Sequence, residues 1–152
     1  MGYTHYFGLT KLPTEKQVEK VIEEVKMLYS KLPEKNQTAG GYCSEYPIAI
    51  RGGMGHGEPT FDTRGLWFNG DETVGMDHET FWLSFTSTDR EFCKTARKPY
   101  DMLACLSLIS AKRHIPGFKF SSDGDLEDWQ PAFDFYRQHV KTKAKLENWV
   151  RQ

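Results

Sequence analysis

The chain has 152 residues, a formal net charge of -1 and 38% hydrophobic residues, which suits one domain burying roughly two thirds of its unfolded surface without disulfides or metal. The near-zero charge argues against sequence-independent binding to duplex nucleic acid, which calls for a globally basic face, but leaves room for a local basic pocket. Cys43, Cys93 and Cys105 are odd in number and lack CxxC spacing, so neither a disulfide framework nor a zinc ribbon is expected. There is no apolar signal core and no run near the roughly 20 apolar residues of a membrane span, so the expectation is a soluble cytoplasmic protein without membrane partners.

Residues 3–9 are aromatic and β-branched enough for a first strand. Thr14 and Gln17 then form a capping box, and Val18, Val21, Ile22, Val25 and Leu28 recur at helical spacing, predicting an amphipathic helix over 14–32. A polar connection runs from Pro33 to Gly41, and Tyr46 to Ile50 reads as a short strand. Thr60 to Phe68 and Thr80 to Thr86 read as two more strands separated by the turn residues Asn69-Gly70-Asp71. A helix from Pro99 to about His114 is apolar nearly all round and is expected to be the most buried element. Phe118 to Phe120 form a last strand before helices over 125–139 and 143–150. The order βαβββαβα predicts a single α+β domain, a mainly antiparallel sheet with helices packed on it.

The segment Phe92 to Asp101 crowds Lys94, Arg97 and Lys98 before that apolar helix. A helix amino end already carries about half a positive charge, so cations beside it favour a bound anion unless internal acids such as Asp101 compensate. Candidate ligand-binding residues are therefore Arg51, Lys94 and Arg97 for phosphate, with Thr95, Tyr100 and Asp101 beside them. Asn69, Ser121, Ser122 and Asp123 are candidates for reading ribose or base, although Ser121-Ser122-Asp123-Gly124 is equally what a tight strand-to-helix turn prefers. His5 and His78, with Tyr100, are the candidate acid and base if the protein is an enzyme, histidine being the side chain best suited to both roles at neutral pH. No metal and no cofactor is expected: His5, His56, His78 and Cys93 do not follow a zinc-ligand spacing. The run Gly53-Met54-Gly55-His56-Gly57 mimics a nucleotide loop but leads toward a strand, not a helix. Trp67, Trp82, Trp129 and Trp149 are expected as core or interface anchors, with stacking on a base open to one of them.

Met1-Gly2-Tyr3-Thr4-His5-Tyr6, Phe68-Asn69-Gly70-Asp71, His78-Glu79-Thr80-Phe81, Phe92 through Asp101 and Ser121-Ser122-Asp123-Gly124 occur in this order over residues 1 to about 130. This pattern resembles a family of small uncharacterised bacteriophage proteins, from which no activity carries over. Tyr6-Phe7 stands where the resemblance leads one to expect Tyr-Trp. A phage protein with a cationic, aromatic-lined pocket suits an anti-defence role, sequestering a nucleotide immune signal of cyclic dinucleotide or cyclic ADP-ribose type. The alternatives are a metal-independent phosphodiesterase that cleaves such a signal, and a protein-interaction module using exposed aromatics. Aromatic residues make up 14% of the chain, so a homo-oligomer that buries some of them is also compatible.

Overall fold

The computed structural model describes residues 2–36 and 45–150. Cys43 and the end of the polar connection lie outside them. The fold is α+β, built among the described residues from six strands in two three-stranded antiparallel sheets and three α-helices. Strands β1 (Thr4–Leu9), β5 (Glu91–Lys94) and β6 (Phe118–Ser122) form one sheet in the order β5-β1-β6. Strands β2 (Thr60–Asp62), β3 (Gly65–Phe68) and β4 (Phe81–Ser84) form the other in sequence order. Helix α1 spans Glu15–Ser30, α2 spans Asp101–His114 and α3 spans Leu126–His139.

The first helix forms as its sequence dictates. Thr14 Oγ1 accepts from the Gln17 N–H while the Gln17 side chain accepts from the Thr14 N–H, so two otherwise orphaned donors are satisfied. Val18, Val21, Val25 and Leu28 then bury one stripe, and α1 packs along α2. Helix α2 is buried at every position from Asp101 to Ala111, which matches its lack of a polar face. It lies at the centre of the core, with α1, α3 and β6 against it.

Four elements differ from the sequence reading by more than their ends. Residues 60–68 fold into two strands because Asp62 Oδ1 accepts from the Arg64 N–H and turns the chain between them. Residues 46–50 form no strand: Pro47 makes an isolated bridge to Lys35, and Arg51, just beyond, makes one to Asn69. The expected helix over 143–150 is a short 3-10 turn at Leu146–Trp149. Strand β5 is the addition that matters: Glu91–Lys94 pairs antiparallel with β1, so the order is βαββββαβα. Its side chains alternate, with Cys93 fully buried and Phe92 64% exposed. Read as a cationic lead-in to a helix, that two-residue period was masked by Lys94.

Glu24 of α1 ties the far ends of the helices together. Its carboxylate accepts from His114 Nε2 at 2.9 Å, from Arg113 Nη1 at 3.2 Å and from the Tyr136 hydroxyl. Burial alone would raise this carboxyl, but the hydrogen bonds from His114 and Tyr136 outweigh it and hold it below its ordinary value of 4.5. A depressed carboxyl contributes stability above its unfolded value that is lost as pH falls through the folded one. In urea titrations across the acid range, Glu24→Gln is expected to be less stable than wild type at pH 7 and to converge on it as pH falls through the depressed Glu24 value. Parallel pH profiles would show that Glu24 does not carry this linkage.

Among the described residues no helix is long and apolar enough to cross a membrane.

Candidate functional site

The two faces of the β5-β1-β6 sheet are chemically distinct. On β1, His5, Phe7 and Leu9 point to the core and Tyr6 and Gly8 point away from it, as a two-residue period requires. The inner face carries a hydrogen-bonded relay, and the outer face carries exposed aromatics and cations.

The relay is centred on His5, which is fully buried. His5 Nδ1 lies 2.7 Å from Ser122 Oγ and Nε2 lies 2.7 Å from Asp101 Oδ1. Ser122 Oγ also accepts from Trp129 Nε1 at 3.1 Å and from the Gly124 N–H at 2.9 Å. Both of these partners are donors only, so the single proton of the Ser122 hydroxyl goes to His5 Nδ1. His5 Nε2–H therefore donates to Asp101, whose Oδ1 also accepts from the Thr95 hydroxyl at 2.6 Å and whose Oδ2 accepts from Cys105 Sγ at 3.5 Å. The Ser-His-Asp set has the membership of a hydrolytic triad without its availability. A serine oxygen with both lone pairs engaged is a poor nucleophile, and His5 has no ring nitrogen left for a substrate proton.

Gly124 completes the turn under this relay. A Cβ there would fall inside the contact distance of Tyr3 Oη and crowd Trp129 Nε1. Gly124→Ala is expected to cost about 1–3 kcal/mol of stability by overpacking, measured by urea unfolding. A change below about 0.5 kcal/mol would show that Tyr3 moves aside freely.

The expected anion pocket at the start of α2 is not open. Helix α2 begins at Asp101, two residues beyond Pro99. The N–H groups of Lys98, Asp101, Met102 and Leu103 donate to Thr95, Lys98, Pro99 and Tyr100 carbonyls, so the helix entry satisfies its own donors. Thr95 and Tyr100 are fully buried, and Tyr100 donates its hydroxyl to the Glu79 carbonyl at 2.5 Å. Asp101 belongs to the relay. Ala96 and Arg97 adopt left-handed backbone, with φ of 53° and 59°, and this turn sets the Arg97 guanidinium over the Tyr3 ring at 4.2 Å and onto Asp128. The Asp128 hydrogen bond raises the Arg97 pKa above its ordinary value. Thr95, Tyr100 and Asp101 are thus internal groups, and Arg97 is bound to an acid.

Asn69 and Arg51 are also spoken for. Asn69 Nδ2 donates to the His78 carbonyl at 2.9 Å, its Oδ1 accepts from the N–H groups of Gly70 and His78, and its backbone pairs with Arg51. Arg51 Nη2 meets Asp71 Oδ2 at 3.1 Å. The glycine-rich run forms a tight turn, with Gly52 N–H donating to the His56 and Gly57 carbonyls and Trp67 packed where a Gly53 side chain would stand. His78 is exposed while His5 is sealed, so the two do not form an acid-base pair open to one substrate. Among the described residues, His5, Asp101 and Cys105 are the one group with metal-ligating atoms close together, and those atoms already hydrogen-bond one another.

Three of the expected ligand residues do come together, on the outer face of the sheet and its end. Lys94 projects there beside Gly2, Ser121 is exposed on β6, and Asp123 just beyond it accepts from the Thr4 N–H at 3.0 Å. Between them the register opposes Phe92 to Tyr6 and Tyr6 to Ser121 across the three strands. Tyr6 is 39% and Phe92 64% exposed. Two residues along the strands, Gly8 lies opposite Lys119 and against the Arg90 backbone. The missing side chain of Gly8 floors a cleft of about 590 Å³ between exposed Arg90 and Lys119, with Tyr6, Thr10, Thr88 and Ser121 on its walls. No protein-family model, curated protein or solved structure matches this chain, so the reading rests on its own geometry.

A second aromatic surface lies on the other sheet, where Trp67 opposes Trp82 with ring centroids 5.5 Å apart. The cation beside it, Arg64, is held by Asp62 at 2.9 Å, and the adjoining cleft is smaller, about 250 Å³. The β5-β1-β6 face therefore has the larger of the two clefts, flanked by Arg90 and Lys119. Tyr6, Phe92, Arg90 and Lys119 escaped the sequence reading, although the alternation of Arg90, Phe92 and Lys94 against Glu91 and Cys93 was a signal for them.

Proposed function

We propose that the protein binds a phosphate-bearing nucleotide on the outer face of the β5-β1-β6 sheet and holds it intact. One observation carries this reading: Tyr6 and Phe92 stand exposed and opposed in register, with Lys94 on one side and Arg90 and Lys119 on the other. Exposed aromatic rings offer a π-face to any base, and flanking cations supply the attraction for phosphate. The same strands bury His5, Phe7, Leu9 and Cys93 on their inner face, where most of their packing lies. In keeping with the phage resemblance, the ligand is a host nucleotide signal and the protein its sponge.

Sequestration is favoured over cleavage because two of the three catalytic candidates, His5 and Tyr100, are engaged elsewhere and leave exposed His78 without its acid-base partner. His5 has both ring nitrogens bonded in the buried relay and the Tyr100 hydroxyl donates to the Glu79 backbone carbonyl. Incubating the protein with cyclic dinucleotides and ADP-ribose derivatives, then filtering, heating and analysing both fractions by mass spectrometry, tests the proposal. Recovery of an intact nucleotide after heating is expected. A shortened or linearised product would replace the sponge with a phosphodiesterase, and no retained nucleotide would leave the aromatic face as a protein-interaction surface.

A further inference from the structure

Resting on that reading, we infer that the ligand carries its phosphates together, as one diphosphate seated between Arg90 and Lys119, with its base on the Tyr6 and Phe92 row and a second sugar beyond the diphosphate. A nucleoside diphosphate esterified to a sugar, as in ADP-ribose, has this layout. A cyclic dinucleotide, whose two phosphates stand apart on opposite sides of its ring, does not.

The distribution of charge carries the inference. Among the described residues Arg51, Arg64, Arg97, Arg113 and Arg137 each form an ion pair with an acid, and Arg90 forms none. The cleft that Arg90 lines holds one other charged side chain, Lys119, which is also outside the ion pairs of the described residues. Asp89 and Glu91, on either side of Arg90, do not line it. Lys119 lies opposite Gly8 in register and Arg90 packs against Gly8 from the other side, so two cations without acids flank one glycine and repel each other until an anion lies between them. The opposite end of the face has no such excess. There the Lys94 N–H donates to the Glu79 carboxylate at 2.7 Å, and the N–H of Thr4, the residue paired with Lys94, donates to the Asp123 carboxylate at 3.0 Å. Two carboxylates beside one ammonium leave no positive charge for a second phosphate, so the phosphates belong in one place.

Outward-facing residues along a strand are about 6.8 Å apart, which is the step from the Tyr6 row to the Gly8 row. Thr10 and Thr88 lie two residues further along their chain segments, past Gly8 and Arg90, and both line the cleft. The Thr10 hydroxyl donates to the Gly117 carbonyl at 2.9 Å and so offers an acceptor, while Thr88 is exposed. Aromatic, cationic and hydroxyl groups thus follow one another in the order base, diphosphate, sugar. The cleft, about 590 Å³, is within the size range of small-ligand pockets and larger than a lone phosphate needs.

Calorimetry with AMP, ADP-ribose and cyclic di-AMP tests this. AMP and ADP-ribose carry nearly the same charge at neutral pH, so comparing them isolates the arrangement of the phosphates and the second sugar. ADP-ribose is expected to bind about tenfold or more tighter than either of the others. Arg90→Gln and Lys119→Gln are each expected to weaken ADP-ribose by about tenfold with Tm unchanged, and Lys94→Gln to weaken it less than either. AMP or cyclic di-AMP binding as tightly as ADP-ribose, or Lys94→Gln weakening ADP-ribose more than Arg90→Gln and Lys119→Gln do, would overturn the diphosphate inference and leave nucleotide binding standing. Binding by none of the three probes would instead sink the nucleotide reading on which it rests.

Discussion

Replacing Asp101 with alanine is expected to lower the free energy of unfolding by about 3–5 kcal/mol, the range for breaking a buried polar pair from one side. Asp101 is 2% exposed and accepts from His5, Thr95 and Cys105. Truncating it leaves these donors facing a cavity, and each buried donor without a partner costs about 1–3 kcal/mol. The damage spreads along the relay, because the His5 ring that Asp101 fixes also accepts the Ser122 hydroxyl's hydrogen bond. Ser122 in turn holds Trp129 and Gly124, so one carboxylate anchors the start of α2 to β1, β6 and α3. Asp101→Asn keeps a carbonyl for the His5 donor and is expected to lose less. Urea unfolding of both variants checks this, and a loss below about 1 kcal/mol for alanine would remove the relay from the list of structural determinants.

Phe92→Ala is expected to act in the opposite sense, leaving stability within about 0.5 kcal/mol of wild type while weakening nucleotide binding by about 1–3 kcal/mol. That loss corresponds to roughly 5- to 150-fold in Kd. The side chain is 64% exposed and stands on the outer face of an edge strand, so folding gains little from it. Tyr6→Ala is expected to follow the same pattern, with some loss of stability because Tyr6 sits on the central strand of its sheet and is less exposed. Calorimetry with the tightest-binding nucleotide, paired with thermal unfolding, separates the two effects. Unchanged affinity in both variants would show that the rings do not stack on the ligand.

The legibility of this chain divides along physical lines. Helix α1 was readable because its capping box and its valine stripe are local, and α2 because a run of apolar residues has one environment available to it. The His5 relay was not readable: it joins residues 5, 101 and 122, and their approach depends on the pairing of β1 with β6 and the placement of α2. The sequence presented Arg97 with Thr95 and Tyr100 beside it as one anion pocket, but backbone geometry sent them to different places. Two left-handed residues at Ala96 and Arg97 turn the arginine out to Tyr3 and Asp128, while Thr95 and Tyr100 stay inside. Tyr6, Phe92, Arg90 and Lys119 lie on three strands and become a surface when the antiparallel register brings those strands together.

Backbone amide mapping by NMR is the most direct measurement, recording the spectrum of the labelled protein during titration with ADP-ribose. Binding on the open sheet face shifts the amides of Tyr6, Gly8, Phe92, Lys119 and Ser121 together while those of Met102 and Leu103 at the start of α2 stay still. Shifts confined to the start of α2 and the Asn69 turn, with the sheet face unmoved, would contradict it.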